Sequence, residues 1–182
     1  RMGGVQRGRS GIVKEITVVG LGPGGLESLT YGVWQLLTSG KEVVLRTARH
    51  PVVQELEEQG YSFTSCDGFY EKHKSFEEVY DKIVEFLLER FVQNSSLDNY
   101  IYAVPGHPTV AEETVKLLLK RAAGQNVILR IIPGLSFLDN LFSSLQIDPS
   151  EGFQLLDALS VQQGHINVRQ HNVFSQVYNR FV

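Results

Sequence analysis

Short runs of consecutive apolar residues alternate along this chain with longer stretches in which apolar positions recur every three or four residues. The short runs read as strands covered on both faces and the longer ones as amphipathic helices. Together they predict repeated β–α units on a mainly parallel sheet. Strands are expected at 16–19, 43–45, 62–65, 100–104 and 127–132, with a further one near 153–156. Helices are expected at 26–37, 52–58, 109–122, from beyond Pro133 to about 145, and at 167–181. One more runs to about 92 from a capping box, Ser75-x-x-Glu78, ahead of the apolar stripe Phe76, Val79, Tyr80, Ile83 and Leu87. The polar stretch 93–99 reads as a loop, and no internal repeat or low-complexity tract is visible. Two prolines and a glycine between Pro105 and Pro108 interrupt the alternation. The expected organisation is therefore an N-terminal α/β domain at 13–106 and a C-terminal α/β domain at 107–182. Residues 1–12, with three arginines and four glycines in the first eleven, are expected to form a flexible tail.

Composition narrows the function classes. The 182 residues are 42% hydrophobic and 20% charged, ordinary for a globular protein. A net charge of −3 gives no broad electrostatic case for nucleic acid or an anionic membrane. The one cysteine, Cys66, forms no intrachain disulfide, and the chain reads as cytoplasmic. No apolar run approaches the roughly 20 residues of a membrane span. Met2-Gly3 resembles a myristoylation start, but Arg7 stands where that motif needs Ser or Thr.

Three loops share one construction: an apolar strand, a Gly/Pro turn, then a helix start. They are Gly20-Leu21-Gly22-Pro23-Gly24-Gly25 before Leu26, Pro105-Gly106-His107-Pro108 before Thr109-x-x-Glu112, and Pro133-Gly134-Leu135 before Ser136-x-x-Asp139. The last two helix starts read as capping boxes. In parallel α/β sheets such loops gather at the carboxyl ends of the strands, where small molecules bind. Glycine admits close approach of a ligand to the backbone, and helix N-termini favour an anionic group. The first loop contains G-x-G-x-x-G, but the second strand ends in Arg46-Thr47-Ala48-Arg49 with no acid to hold a ribose. Pro23 also removes an N–H from the cradle, so dinucleotide binding becomes a minor alternative.

With these residues in hand, the chain resembles the tetrapyrrole (precorrin/uroporphyrinogen) methylase family from about Ile16 onward. Val18-Val19-Gly20-Leu21-Gly22-Pro23-Gly24 is similar to the family's opening V-G-x-G-P-G-D, Gly106-His107-Pro108 to its G-D-P loop, and Pro133-Gly134-Leu135-Ser136 to its P-G-x-S turn. The stretches 102–108, 136–139 and 167–171 resemble the version fused upstream of a MazG nucleotide pyrophosphohydrolase domain, the YabN type. The resemblance implies two α/β domains with a ligand trough between them, S-adenosylmethionine (SAM) as cofactor, a small-molecule acceptor and a homodimer. It also implies a covalently linked MazG domain, with the chain cut before the natural end of its second domain. Mapped by motif, Pro105, Gly106, His107, Pro108, Pro133, Gly134, Leu135 and Ser136 would hold the cofactor. Gly20, Gly22, Pro23 and Gly24 would face the acceptor. Two family aspartates are replaced, one by Gly25 and one by His107, which puts a tetrapyrrole acceptor in question.

Other residues carry weaker signals. Arg46 and Thr47 end a strand at the ligand edge and suit an acidic substrate, and His73 is a possible substrate-face residue or a solvated loop histidine. His107 reads as a ligand donor, a base or a turn residue, and His50-Pro51 opens the second helix. MazG-type enzymes hold magnesium with helical carboxylates, but Glu77, Glu78, Asp81 and Glu85 have no second acidic helix to match, so no metal is expected. Cys66 beside Asp67 is a poor nucleophile. Two readings remain: a SAM-dependent methyltransferase-like domain of unidentified acceptor, and a non-catalytic SAM- or nucleotide-sensing or dimerisation module of a MazG-type protein.

Overall fold

A computed structural model describes residues 13–73, 75–162 and 164–177. Five parallel strands form its main sheet: β1 (Lys14–Gly20), β2 (Val43–Leu45), β3 (Thr64–Ser65), β4 (Asn99–Val104) and β5 (Val127–Ile132), in the spatial order β3-β2-β4-β1-β5. The helices are α1 (Tyr31–Leu37), α2 (Pro51–Glu58), α3 (Asp67–Lys72), α4 (Phe76–Gln93), α5 (Glu113–Ala122) and α6 (Phe137–Leu145). A second sheet pairs β6 (Phe153–Asp157) with β7 (His171–Ser175), also in parallel. The α/β architecture with a parallel sheet is the one the apolar pattern implied.

Burial explains why the central strands read as unbroken apolar runs. Along β4, Tyr100, Tyr102 and Val104 point to one face and Ile101 and Ala103 to the other, and all five are buried. The first face packs against α4 and α5 through Val79, Ile83, Leu87, Val115 and Leu118. The second packs against α1 and α2 through Val33, Leu37, Val52, Val53 and Leu56. Two polar groups in the first layer are satisfied: the Tyr100 hydroxyl donates to Leu87 O at 2.6 Å, and the Tyr102 hydroxyl lies 2.8 Å from Thr114 Oγ1.

Several expectations are corrected. The helix expected at 26–37 is a 3₁₀ turn at Leu26–Ser28 followed by α1, because Thr30 caps α1 by accepting from Val33 N. The helix expected at 109–122 begins only at Glu113: Ala111 has φ of 52°, a left-handed conformation no helix continues through. The expected box at Thr109 does not form, and Glu112 is itself the N-cap. By contrast Ser136 and Asp139 close a full capping box on α6. Helix α3 had no sequence signal. The helix expected at 167–181 is instead β7, whose register with β6 runs from Phe153↔His171 to Asp157↔Ser175. The β-branched and aromatic Val173 and Phe174 favour that pairing. The main sheet also continues past the boundary expected between 106 and 107, since β5 pairs with β1 over six residues. The expected tail at 1–12 lies outside the described residues, as do 178–181 of that expected helix.

Candidate ligand site

The three Gly/Pro loops meet at the carboxyl ends of β1, β4 and β5, which lie side by side in the sheet. The first two are joined by reciprocal backbone hydrogen bonds: Gly22 N donates to Gly106 O at 3.1 Å, and Gly106 N donates to Gly22 O at 2.9 Å. The third is pressed against both. A Cβ on Gly134 would stand 2.6 Å from Gly20 C and 2.7 Å from Gly106 O, and closer still to Gly20 O. Glycine is required there because the obstructing atoms are backbone. Gly106 differs: its φ is 63°, and a Cβ would project into open space.

That open space belongs to a cleft of about 330 Å³, walled by Gly22, Pro23, Arg46, Pro105, Gly106, His107 and Ser136. All seven were expected site residues. Six residues on the same wall were not: His50, Pro51, Val110, Ala111, Glu112 and Phe137. The remaining expectations fall elsewhere. Gly20 and Gly134 are packed between the loops. Gly24 lies against Glu27 and Ser28. Thr47 is turned away, donating to Asp67 Oδ1 at 2.6 Å. His73 lies 3.9 Å from Glu78. Leu135 is exposed, and neither it nor Pro133 lines the cleft. Pro108 faces a neighbouring hollow of about 360 Å³, which it lines with Thr109, Lys116, Asp157 and Gln176. Ala111 and Glu112 border both hollows, so the 105–112 segment is their common wall.

The polar groups of the cleft are held in defined states. His107 Nδ1 accepts from Thr109 N at 3.2 Å. A neutral ring then carries its proton on Nε2, making His107 a donor toward a ligand. His50 Nε2 lies 3.0 Å from Gly22 O, and since a carbonyl only accepts, the proton sits on Nε2. Burial, with the Arg46 charge, keeps the His50 pKa below its ordinary value against the opposing Gly22 hydrogen bond. His50 is thus a neutral strut tying the start of α2 to the first loop. Arg46 reaches Tyr70 Oη through Nη1 at 2.9 Å and sets Nε 3.1 Å from Glu112 Oε2. Glu112 Oε1 accepts from Thr114 Oγ1 at 2.7 Å and from Thr114 N at 3.3 Å. Because Thr114 spends its proton on Glu112, the Tyr102 hydroxyl must be the donor of its bond to Thr114. Burial pushes the Glu112 carboxyl up from its ordinary value, against the pull of Arg46 and Thr114.

Two carboxylates hold the backbone at position 25. Gly25 N donates to Glu27 Oε1 at 2.8 Å and Leu26 N to Glu55 Oε1 at 3.1 Å. A side chain on residue 25 would collide with both carboxylates. Cys66 is buried, and burial, aided by the Asp67 charge, pushes its thiol up to about 12. No cluster of metal-binding side chains occurs among the described residues. Among them, too, no helix is long and apolar enough to cross a membrane. The acidic face of α4 is engaged by cations: Asp81 pairs with Arg121, and Glu85 with Lys82 at 2.5 Å.

Comparison with known proteins agrees with this architecture. The model of the family Tetrapyrrole (Corrin/Porphyrin) Methylases matches residues 15–180. A curated relative, the uncharacterized protein YabN of Bacillus subtilis (strain 168), is 43% identical over 166 residues, covering 91% of this chain and 33% of that protein. The chain thus spans about a third of its relative's length. Among solved structures, diphthine synthase aligns with a TM-score of 0.57 at 20% identity, over 79% of this chain and 53% of that one. The methyltransferase CobJ aligns at 0.55 and 19% identity, over 82% and 57%. Uroporphyrin-III C-methyl transferase from Thermus thermophilus, complexed with S-adenosyl homocysteine, aligns at 0.54 and 20%, over 79% and 59%. The fold, the order of the three loops and the family match lead to one conclusion: this chain belongs to the Tetrapyrrole (Corrin/Porphyrin) Methylases family.

Proposed function

We propose that this chain is a SAM-dependent methyltransferase-like domain whose cofactor lies on the Pro105–Pro108 and Pro133–Ser136 loops. A small-molecule acceptor would enter from the side of Gly22, Pro23 and Arg46. The observation that carries this reading is the one cleft that Gly22, Pro23 and Arg46 share with Pro105, Gly106, His107 and Ser136. Methyl transfer needs donor and acceptor in direct contact, and one cleft lined by both sets of residues can hold them side by side. A relative of the same fold that was crystallised with S-adenosyl homocysteine supports the choice of cofactor.

The residues present fit such a ligand. Gly106 leaves the cleft clear of side chain where a Cβ would intrude. His107 presents an N–H, and Pro105 puts a residue without a backbone donor on the cleft wall. SAM supplies an electrophilic methyl group on a positively charged sulfur, and its transfer requires alignment and exclusion of water more than a strong acid or base. In this chain the fused loops provide the alignment. Phe137 and Val110 give the cleft apolar wall, and Glu112 is committed to Arg46 and Thr114 rather than left as a base.

That commitment favours a second reading, a non-catalytic module that senses SAM or a nucleotide. In either case we propose that the domain works as a homodimer and is joined to a MazG nucleotide pyrophosphohydrolase domain in a longer protein. The length of the relative supports the latter. Isothermal titration of the full-length protein with SAM and S-adenosylhomocysteine is the test. Saturable binding that is lost in Gly106→Val is expected, and absence of binding by either compound sinks both SAM readings. Release of methyl from labelled SAM into a metabolite extract then separates enzyme from sensor.

A further inference from the structure

We infer that Arg46 is an anion anchor: aimed by Glu112 and Tyr70, its guanidinium selects for the cleft a small ligand bearing a carboxylate or phosphate group. The inference rests on the cleft being a ligand site and names the chemistry of what enters beside Gly22.

The geometry carries it. Arg46 directly follows β2 at the carboxyl edge of the sheet, and its side chain keeps 22% of its exposure against 7% for Glu112. Nη1 donates to Tyr70 Oη, and Nε lies 3.1 Å from Glu112 Oε2 in an ion pair that lacks hydrogen-bond geometry. Nη2 has no hydrogen bond with the described residues, yet it is not among their buried unpartnered atoms, so solvent reaches it. An ion pair this far out of water recovers little of its desolvation cost and is a poor device for stability. It is a good device for holding a planar fork still. The fork's remaining N–H groups match a carboxylate or phosphate, which Arg recognises through paired hydrogen bonds.

The local charge permits an added anion. Glu112 contributes one negative charge, and its Oε1 faces the amide of Thr114 at the start of α5, whose N-terminus carries roughly half a positive charge. Arg46 adds a full positive charge, and His50 is held neutral beside it. Among the described residues of the cleft wall, Arg46 alone is permanently cationic. Glu112 is a positioning residue here: it touches Arg46, not the ligand.

The test uses full-length ¹⁵N-labelled protein in low-chloride buffer, titrated separately with inorganic phosphate and with acetate while the Arg46 Nε–Hε resonance is followed. A saturable shift with either anion supports the anchor, and the tighter of the two names the ligand's group. No saturation with either up to about 50 mM overturns it. Arg46→Gln should weaken anion binding about ten-fold or more, and Arg46→Lys should restore part of it. If Arg46→Gln does not fold, the Arg46→Gln/Glu112→Gln pair, which leaves no unpaired buried charge, replaces it. Anion affinity unchanged in the folded variant overturns the proposal. In Glu112→Gln the unliganded Arg46 resonance should move to the position of a free arginine, and an unmoved resonance removes the positioning role. S-adenosylhomocysteine titrated into the same samples separates the two claims. Anion binding without it sinks the cofactor reading alone, and the reverse sinks the anchor alone.

Discussion

Replacing Gly134 by alanine puts a methyl group in place of a hydrogen at the point where the three loops are pressed together. The new Cβ would lie 2.6 Å from Gly20 C and 2.7 Å from Gly106 O, both main-chain atoms that no rotamer change can move. Forcing one methyl group into a packed interior costs about 1–3 kcal/mol. Relief requires separating the first and second loops, which breaks the two Gly22–Gly106 hydrogen bonds at about 0.5–1.5 kcal/mol each. The expected loss is therefore about 2–6 kcal/mol of unfolding free energy, read by urea denaturation followed by circular dichroism. Gly32→Ala is the control: Gly32 lies within α1 with nothing within 4 Å of its Cβ position. That change should stabilise by about 0.5–1 kcal/mol. A Gly134→Ala protein within about 0.5 kcal/mol of the wild type would refute the claim that the loops are fused through backbone contacts.

Other consequences are as direct. Tyr102→Phe removes the buried hydroxyl that donates to Thr114, and should cost about 1–2 kcal/mol in the same denaturation assay. Ser136→Ala opens the capping box of α6 and should cost about 1 kcal/mol. Cys66 should resist thiol reagents at pH 8 in the folded protein and react at once in urea. Its folded pKa, about 12, lies above the ordinary 9.0, so its contribution to stability is full below 9.0 and is lost as pH rises toward 12. Cys66→Ala should flatten that alkaline loss, measured by urea titration at pH 8 and pH 10. His50 shifts the other way: its folded pKa lies below the ordinary 6.5, so its contribution is present above 6.5 and is lost as pH falls through the folded value. His50→Gln should remove that part of the acid dependence.

What was legible in the sequence follows from what burial does to a pattern. Strands covered on both faces leave continuous apolar runs, so β1, β2 and β4 were readable without any partner. Strand β5, exposed at Ile128 and Arg130 on the sheet edge, was readable from its Val-Ile-Leu content. Capping was legible where it is local, as at Ser136 and Asp139. It misled at Thr109-x-x-Glu112, because the left-handed Ala111 delays the helix and frees Glu112 to face Arg46. Nothing local marks that pair: the residues are 66 apart and meet only when β2 and α5 are in place. His50 was visible as a helix opener, but its reach to Gly22 O spans 28 residues and was not. Apolar positions in 167–181 suited a helix as well as a strand, and pairing with β6 decided the matter. The seven cleft residues foreseen all come from strand ends or the loops that follow them, where topology alone dictates location. Those missed on the cleft wall stand at or beside helix starts, where placement depends on tertiary contacts.

The central claim is that the three loops form a SAM site, and a crystal structure of the full-length protein grown with saturating S-adenosylhomocysteine tests it most directly. Density for the ligand against Gly106, His107 and Ser136 is the predicted result. Density at a site that touches none of the three loops, or an empty cleft with the ligand bound elsewhere, would contradict the account.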